Sequence, residues 1–532
     1  HEHDRQFRRI VIHSRHALPT TVPRVVRSND GLWLPFPGSR LLLVDSRQFR
    51  NRLRSIPSEK KDSSMKTYVD VPQSKCRFAL VHTDITPPEN IYHRMWGAAT
   101  QDRATGIHRP LRGSVALLAP TEGNERQFVI ALDHCVMGRQ EMENLLREVG
   151  NLSGVKREEL IVVFSHTHAA GLMGLERVNL PGGDLIPAYL DELNSKIAAL
   201  VRDAESRLEE VTILYGTGNC NLAAHRDFWD EENQTWACGY NPGKSADDTV
   251  MVARIDNAEG KVVATLVNYA CHPTTLAWDN SLISPDYPGA MRETVENATG
   301  APCLFIQGAS AELGPVEGFV GDPAVADRNG RQLAYSSLAA LESLPEANKR
   351  FSYAGPVVSG ATLGNWTYNE LSASDLERNA SWDLHREDLN LSIRPGTPTI
   401  EEVKSELAEW QEKESKEAHA MAERKLRLLH RLKQLPSRKE FPLASIVLRI
   451  GGAIWVILQG ELYSVLQTTL RERFPDTAIV VSTIASHWGA SYLPPRELYD
   501  TGIYQESIAI TAAGSLETVI ETISEKIENL LK

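Results

Sequence analysis

The 532-residue chain has no excess of positive charge, no cysteine framework and no long apolar run. Its formal net charge is -12, which argues against a general nucleic-acid binder, because such a protein displaces counterions with basic side chains. The six cysteines (Cys76, Cys135, Cys220, Cys238, Cys271 and Cys303) include no C-x-x-C pair. That argues against a structural zinc knuckle, and six in so long a chain read as buried free thiols rather than disulfides. No stretch reaches the roughly 18 apolar residues that cross a bilayer. Ile10-Val11-Ile12 and Leu41-Leu42-Leu43-Val44 are too short for the apolar region of a secretory signal. The compartment stays open, with a cytoplasmic location favoured because no export signal is visible, and the N-x-S/T sequons at Asn233, Asn365 and Asn390 then read as chance matches.

Familiar catalytic signatures are missing as well. There is no Walker A loop, no G-x-G-x-x-G and no H-E-x-x-H. Gly308-Ala309-Ser310-Ala311-Glu312 comes nearest to a G-x-S-x-G elbow but lacks the second glycine. Nucleotide chemistry and the common serine-hydrolase architecture lose ground accordingly.

What is present is a globular mix, 42 % hydrophobic and 24 % charged. Residues 1–70 differ from the rest. They are Arg-rich and weakly periodic, and Pro57 to Ser64 reads as a linker. They form a basic extension, either a disordered arm or a stretch upstream of a start at Met65. Residues 71–532 read as one α/β domain. Strand-like runs begin at Val115, Phe128, Val262, Cys303, Ala453 and Ala478, and amphipathic stretches such as Gln140 to Val149 and Pro187 to Leu208 lie between them. Thr399 to Leu435 is rich in Glu, Lys, Ala and Leu and predicts a long, largely exposed helix capped by Thr399. Its length suits a hairpin arm, an oligomer contact or a plain solvated surface helix.

The chemistry-bearing residues sit at predicted strand ends. Ile161 to Phe164 leads into Ser165-His166-Thr167-His168, and residues i and i+2 of a strand share a face, so both imidazoles can enter one cavity. His272 closes the strand that begins near Val262, Asp286 lies in a proline-flanked turn, and Glu461 follows Gln459-Gly460 after an apolar strand. Two histidines and a carboxylate with a position open to water make a catalytic zinc arrangement. Singly, each residue has a plainer reading. A histidine after a strand is usually a hydrogen-bonded loop residue, Glu461 could be a helix N-terminal acid, and Tyr492 and Tyr504 could be packing residues with a bonded hydroxyl.

Taken in order from about Val81 to the C-terminus, these segments resemble the neutral/alkaline non-lysosomal ceramidases, zinc amidases that cleave the N-acyl bond of ceramide. Asp84-Ile85-Thr86-Pro87-Pro88 with Thr105-Gly106-Ile107-His108 is similar to that family's opening strand and turn. Ser165-His166-Thr167-His168 resembles its T-H-T-H motif, Asn221 to Arg226 its asparagine–arginine loop, and Tyr269-Ala270-Cys271-His272 its second histidine segment. Tyr492-Leu493-Pro494-Pro495, followed by Tyr504-Gln505-Glu506-Ser507, reproduces its tyrosine spacing. The resemblance implies Zn2+ on His166, His272, Glu461 and Tyr492, with His168, Tyr504 and Arg226 acting on substrate. It also implies mixed β-sheets layered with helices in a ceramidase-like catalytic domain; the family's C-terminal immunoglobulin-like domain is not expected here, a departure from the family.

The sequence departs from the family at Ala169-Ala170-Gly171, at Ser284 to Gly289 and at Ala311 to Pro315. These positions concern substrate more than metal. The expected activity is zinc-dependent hydrolysis of a small-molecule or lipid-like amide. A related hydrolase of a small soluble amide or ester is the second reading, and a non-catalytic binding protein on the same fold is the third. Retention of all four candidate ligands weighs against the third.

Overall fold

A computed structural model describes residues 67–437 and 439–532, together with the backbone of a short antiparallel hairpin, Arg27–Ser28 with Gly31–Leu32. The chain divides into two compact units, His1–Thr67 and Tyr68–Lys532. Apart from that hairpin and residues 67–70, the basic extension expected over 1–70 lies outside the described residues. The second unit carries the sheet, its covering helices and the candidate site.

Twelve strands form one sheet. In chain order they are β1 (Gln73–Asp84), β2 (Arg112–Ala119), β3 (Gln127–Leu132), β4 (Leu160–Phe164), β5 (Glu209–Asn219), β6 (Thr249–Asn257), β7 (Val262–Tyr269), β8 (Cys303–Gln307), β9 (Trp382–Ser392), β10 (Glu440–Ile450), β11 (Ala453–Gln459) and β12 (Ala478–Ala485). Their order across the sheet is β8-β7-β6-β5-β1-β2-β3-β4-β12-β11-β10-β9. Three neighbouring pairs are parallel: β7 with β8, β3 with β4, and β11 with β12. The β-branched runs that predict strands fall inside these elements, as expected for residues whose stiff side chains suit a pleated surface.

The sheet is folded back on itself. Alternate residues of strands from both halves, among them Phe78, Val163, Ile213, Leu266, Leu448 and Trp455, share one apolar cluster. The intervening residues point outward beneath helices. Val162 and Phe164 of β4 pack with Leu145 of α1 (Arg139–Ser153) and Leu193 of α2 (Ile186–Ser206). Val267 and Tyr269 of β7 pack with Met291 of α3 (Tyr287–Thr299) and Leu333 of α4 (Pro323–Glu342). On the β10–β12 side the cover is α7 (Val465–Arg473) and α8 (Ser515–Leu531). Helix α8 buries Leu516, Val519, Ile520, Ile523, Ile527 and Leu530, a 3–4 spacing that sets one stripe against the sheet. Each such side chain contributes about 1.5–3 kcal/mol relative to exposure. The expected α/β layering of mixed sheet and helices is therefore what forms.

The predicted long helix over 399–435 is instead two helices, α5 (Ile400–Gln411) and α6 (Lys416–Lys433). Thr399 caps the first through a reciprocal bond with Glu402. The break comes where Ser415 caps a new start, its hydroxyl accepting from Ala418 N at 3.0 Å. The exposure is uneven, since α5 buries only Val403 and Leu407 whereas α6 buries Ala418, Glu423, Leu429, Arg431 and Leu432. Five cysteines are buried and all six are free thiols, but Cys238 is exposed, contrary to the expectation that all six are buried. Among the described residues no helix is long and apolar enough to cross a membrane.

Candidate metal-binding and catalytic site

The site gathers at the C-terminal ends of parallel-paired strands, the usual ligand position in layered α/β sheets. Strand β4 stops at Phe164, and the chain turns sharply at His166, whose φ is 68°. His166 N–H donates to the His134 carbonyl at 3.0 Å. The two histidines therefore converge through a turn, not through the shared strand face that the sequence predicts. Their rings stand perpendicular with centroids 4.8 Å apart. His272 follows β7 and is held by a bond from its N–H to the Leu313 carbonyl at 3.0 Å. Glu461 follows β11 across Gly460, and its backbone pairs in parallel with Tyr492, beyond the end of β12.

One ligating atom each from His166, His272 and Glu461 lies within 4.8 Å of the others. Glu461 Oε2 is 3.3 Å from His166 Nε2 and 3.2 Å from His272 Nε2. Tyr492 Oη is 3.4 Å from His272 Nε2. Metal–ligand bonds of about 2.0–2.2 Å in a tetrahedron put neighbouring donor atoms roughly 3.3 Å apart. The spacing, burial and chemistry of this donor set fit a zinc ion. The imidazoles also face the right way. His166 Nδ1 donates to the Cys135 carbonyl at 2.8 Å and His272 Nδ1 to the Ser310 carbonyl at 2.7 Å, which leaves both Nε2 lone pairs free for the shared point.

The electrostatics describe a tightly coupled, dehydrated cluster. Burial depresses the His166 imidazole, but Cys135 and the Glu461 carboxylate outweigh it and raise it well above its ordinary value. Burial, with Arg226 nearby, lowers His272 to about 3. Desolvation and the two neighbouring imidazoles push His168 well below the usual histidine range. Glu461 is buried, which alone would raise it, yet His166 and His272 hold it well below the carboxylate range. Burial and Glu461 lift the Tyr492 phenol well above its usual value.

The remaining expected residues take distinct places. His168 Nε2 is 3.4 Å from His166 Nε2. Arg226 is buried, and its Nη2 donates to Tyr492 Oη at 3.0 Å and to the Ala311 carbonyl, so it meets Tyr492 directly. Tyr504 opens the short helix Tyr504–Ile508, is 45 % exposed, and has its ring 5.8 Å from that of Tyr492. Asp286 stays apart from the cluster. It caps α3, accepting from Tyr287 N at 2.6 Å and from Leu276 N at 2.9 Å, and burial raises it to about 6.

Sequence reasoning missed two residues. Trp488 Nε1 donates to Glu461 Oε1 at 2.9 Å, fixing the carboxylate from behind. Trp96 lies 5.2 Å from the His168 ring and leads an aromatic wall with Trp278 and Phe319. The only signal for Trp488 is its place in the Ser486-His487-Trp488-Gly489 turn after β12, and nothing in the sequence points to Trp96.

No family model and no curated protein matches this chain. Solved structures do. The neutral ceramidase of Pseudomonas aeruginosa is similar with a TM-score of 0.59 at 16 % identity, covering 86 % of this chain and 74 % of that one. A ceramidase complexed with C2 gives 0.59 at 15 % identity, with 86 % and 74 % covered. At such identities the likeness is one of fold. The resemblance that the short motifs suggest thus extends to the three-dimensional architecture.

Proposed function

We propose that this protein is a zinc-dependent hydrolase of an N-acyl amide, with His166, His272, Glu461 and Tyr492 holding the ion. The observation that carries the reading is the 3.2–3.4 Å spacing of the donor atoms, with both Nδ1 atoms tied to carbonyls. A zinc ion there would polarise an amide carbonyl as a Lewis acid and lower the pKa of water to about 7.

The chain's own residues supply the rest. His168, kept neutral by its surroundings, has an Nε2 beside the metal ligands. It takes a proton from the attacking water and passes it to the leaving nitrogen as the C–N bond breaks. The Tyr504 hydroxyl, at the open side of the site, donates to the carbonyl oxygen as negative charge develops there. Arg226 acts as a positioning residue by orienting the Tyr492 phenol. The aromatic wall of Trp96, Trp278 and Phe319 supports an apolar acyl group, because it offers a ligand flat hydrophobic surface directly beside His168. Trp278 is 37 % exposed and so is reachable from outside. A ceramide-like, lipid-amide substrate is favoured over a small soluble one for that reason.

The test pairs metal with turnover. A fluorogenic N-acylsphingosine, assayed beside short-chain N-acyl amines, should be cleaved by the zinc-loaded chain, lost on chelation and recovered with added zinc. Preference for the short amines would move the substrate to the soluble class, and no cleavage of either would remove the enzymatic reading. His166→Ala and His272→Ala should each lose one bound zinc per chain, together with turnover. Unchanged zinc content in both would remove the ligand assignment.

A further inference from the structure

Away from this cluster, a second set of ligating side chains meets where three elements join. Glu141 lies in the first turn of α1, Glu176 in the 3-10 turn Leu175–Arg177, and His430 in the last turn of α6. One ligating atom from each lies within 4.8 Å of the others. His430 Nε2 is 3.5 Å from Glu176 Oε2.

Glu141 is 3 % exposed. Its Oε1 accepts from Leu175 N at 2.9 Å, but its Oε2 has no hydrogen-bond partner. Among the described residues none of the neighbouring arginines pairs with Glu141, although Arg177 brings a positive charge to Glu176. Arg177 bonds Glu176 Oε1 and, at 2.7 Å, Glu423; Arg427 reaches Glu423 at 2.9 Å, and Arg139 reaches Glu143 at 2.7 Å. A buried carboxylate with a free oxygen and no cation calls for a compensating charge.

Two further details fit an ion. Gln434 Oε1 accepts from Arg139 N at 2.6 Å, so its Nε2, 2.5 Å from His430 Nε2, is the donor of that pair. The His430 Nε2 lone pair is therefore the acceptor of the Gln434 amide, and an ion between the carboxylates would take it over from Gln434. The second detail is Gly138, whose φ of -65° suits any residue. A Cβ there would strike Glu141 Oε2 and stand 3.3 Å from His430 Nε2. Glycine thus keeps the space between the ligands open.

We propose that Glu141, Glu176 and His430 bind a divalent transition ion, Zn2+ or Mn2+, that pins α6 to the body of the domain. One imidazole and two carboxylates suit these borderline ions better than Ca2+ or Mg2+, which favour oxygen alone. The ion reaches the first site indirectly. Arg431, next to His430, lies 5.0 Å over the Trp488 ring, and Trp488 bonds Glu461.

The experiment uses the full chain, stripped with chelator and reloaded with Zn2+ or Mn2+ separately. In a His166→Ala/His272→Ala background, elemental analysis should still find one ion per chain, and adding Glu141→Gln with His430→Ala should remove it. Backbone hydrogen exchange over 416–433 should slow on metal addition in the first background and stay unchanged in the second. Anomalous diffraction from the reloaded parent should place a peak between the three side chains. An absent peak at saturating metal, or an ion count that Glu141→Gln with His430→Ala leaves unchanged, would overturn the site. The first of these would leave a proton shared between Glu141 and His430 as the account.

Discussion

Glu461 is the most constrained side chain of the site, gripped by two imidazoles at Oε2 and by the Trp488 indole at Oε1. Removing a partner that orients a ligand typically costs 10–100-fold in metal affinity. Trp488→Phe keeps the aromatic packing and deletes the donor, so zinc affinity measured by chelator competition should fall about 10–100-fold while the fold persists. Affinity unchanged in that variant would mean the indole is only packing. A second residue-scale expectation concerns pH. Burial raises the Glu312 carboxyl from its ordinary 4.5 to about 7, and both of its oxygens accept from Ser464 N, at 2.9 and 3.0 Å. The native state then holds a proton that the unfolded chain releases. This contribution to stability is complete below pH 4.5 and is lost as pH rises through 7. Between pH 5 and 8 the parent should lose up to about 3 kcal/mol that Glu312→Gln does not, as read by urea denaturation at each pH. Parallel curves for the two proteins would exclude it. Of these residues, the histidines and Glu461 are legible in the sequence because each follows an apolar run. Trp488 is not, because a lone tryptophan after a strand gives no hint of which atom it will face. The two tyrosines are legible through the family resemblance alone, since a phenol carries no ligand signal of its own.

At the scale of elements, the site depends on how strands end. Gly460 has a φ of 93°, and a Cβ there would lie 3.1 Å from both the Ser491 carbonyl and Leu493 Cδ1. Gly460→Ala should therefore cost about 1–3 kcal/mol in denaturation and should weaken zinc binding as well, because the same turn aims Glu461. A stable variant with parental affinity would show the turn to be permissive. His166, Ile484, Ser486 and Ser491 also adopt positive φ close to the ligands. Ile484 is β-branched, the type for which this conformation is most costly. Such positions explain why the local geometry at His166 and His168 differs from expectation. Strand periodicity predicts a shared face, whereas the observed convergence needs a left-handed residue that no pattern of apolar side chains announces. The division of 399–435 into α5 and α6 is hidden for a related reason, since Glu, Lys and Ala continue unbroken across Ser415 and helix propensity alone favours one rod.

At the scale of the molecule, the folded-back sheet brings together candidate ligands that lie far apart in the chain. The two halves are linked by Asn268 of β7, whose Nδ2 donates to the Val481 carbonyl of β12 at 2.7 Å and whose Oδ1 accepts from Val481 N at 3.2 Å. Asn268→Ala would leave both buried backbone groups of Val481 unpaired, at about 1–3 kcal/mol for each. Lower stability in urea should be accompanied by loss of zinc, because His272 and Tyr492 lie beyond the ends of the two linked strands. Zinc retained at parental affinity would mean that the halves hold without the amide. The strands themselves are legible as β-branched runs and the helices as amphipathic stretches, but the fold-back is a pairing of distant segments and leaves no local trace.

That the donors at 166, 272, 461 and 492 meet only after the sheet has closed has a kinetic corollary. Loop closures this long are slow steps in assembly, so a refolding chain should gain its helical circular dichroism first and its capacity to capture zinc last. Ion uptake, followed with a fluorescent chelator, would then serve as a clock for the final event of maturation. On the proposed zinc assignment, a newly made chain would stay inactive until that moment.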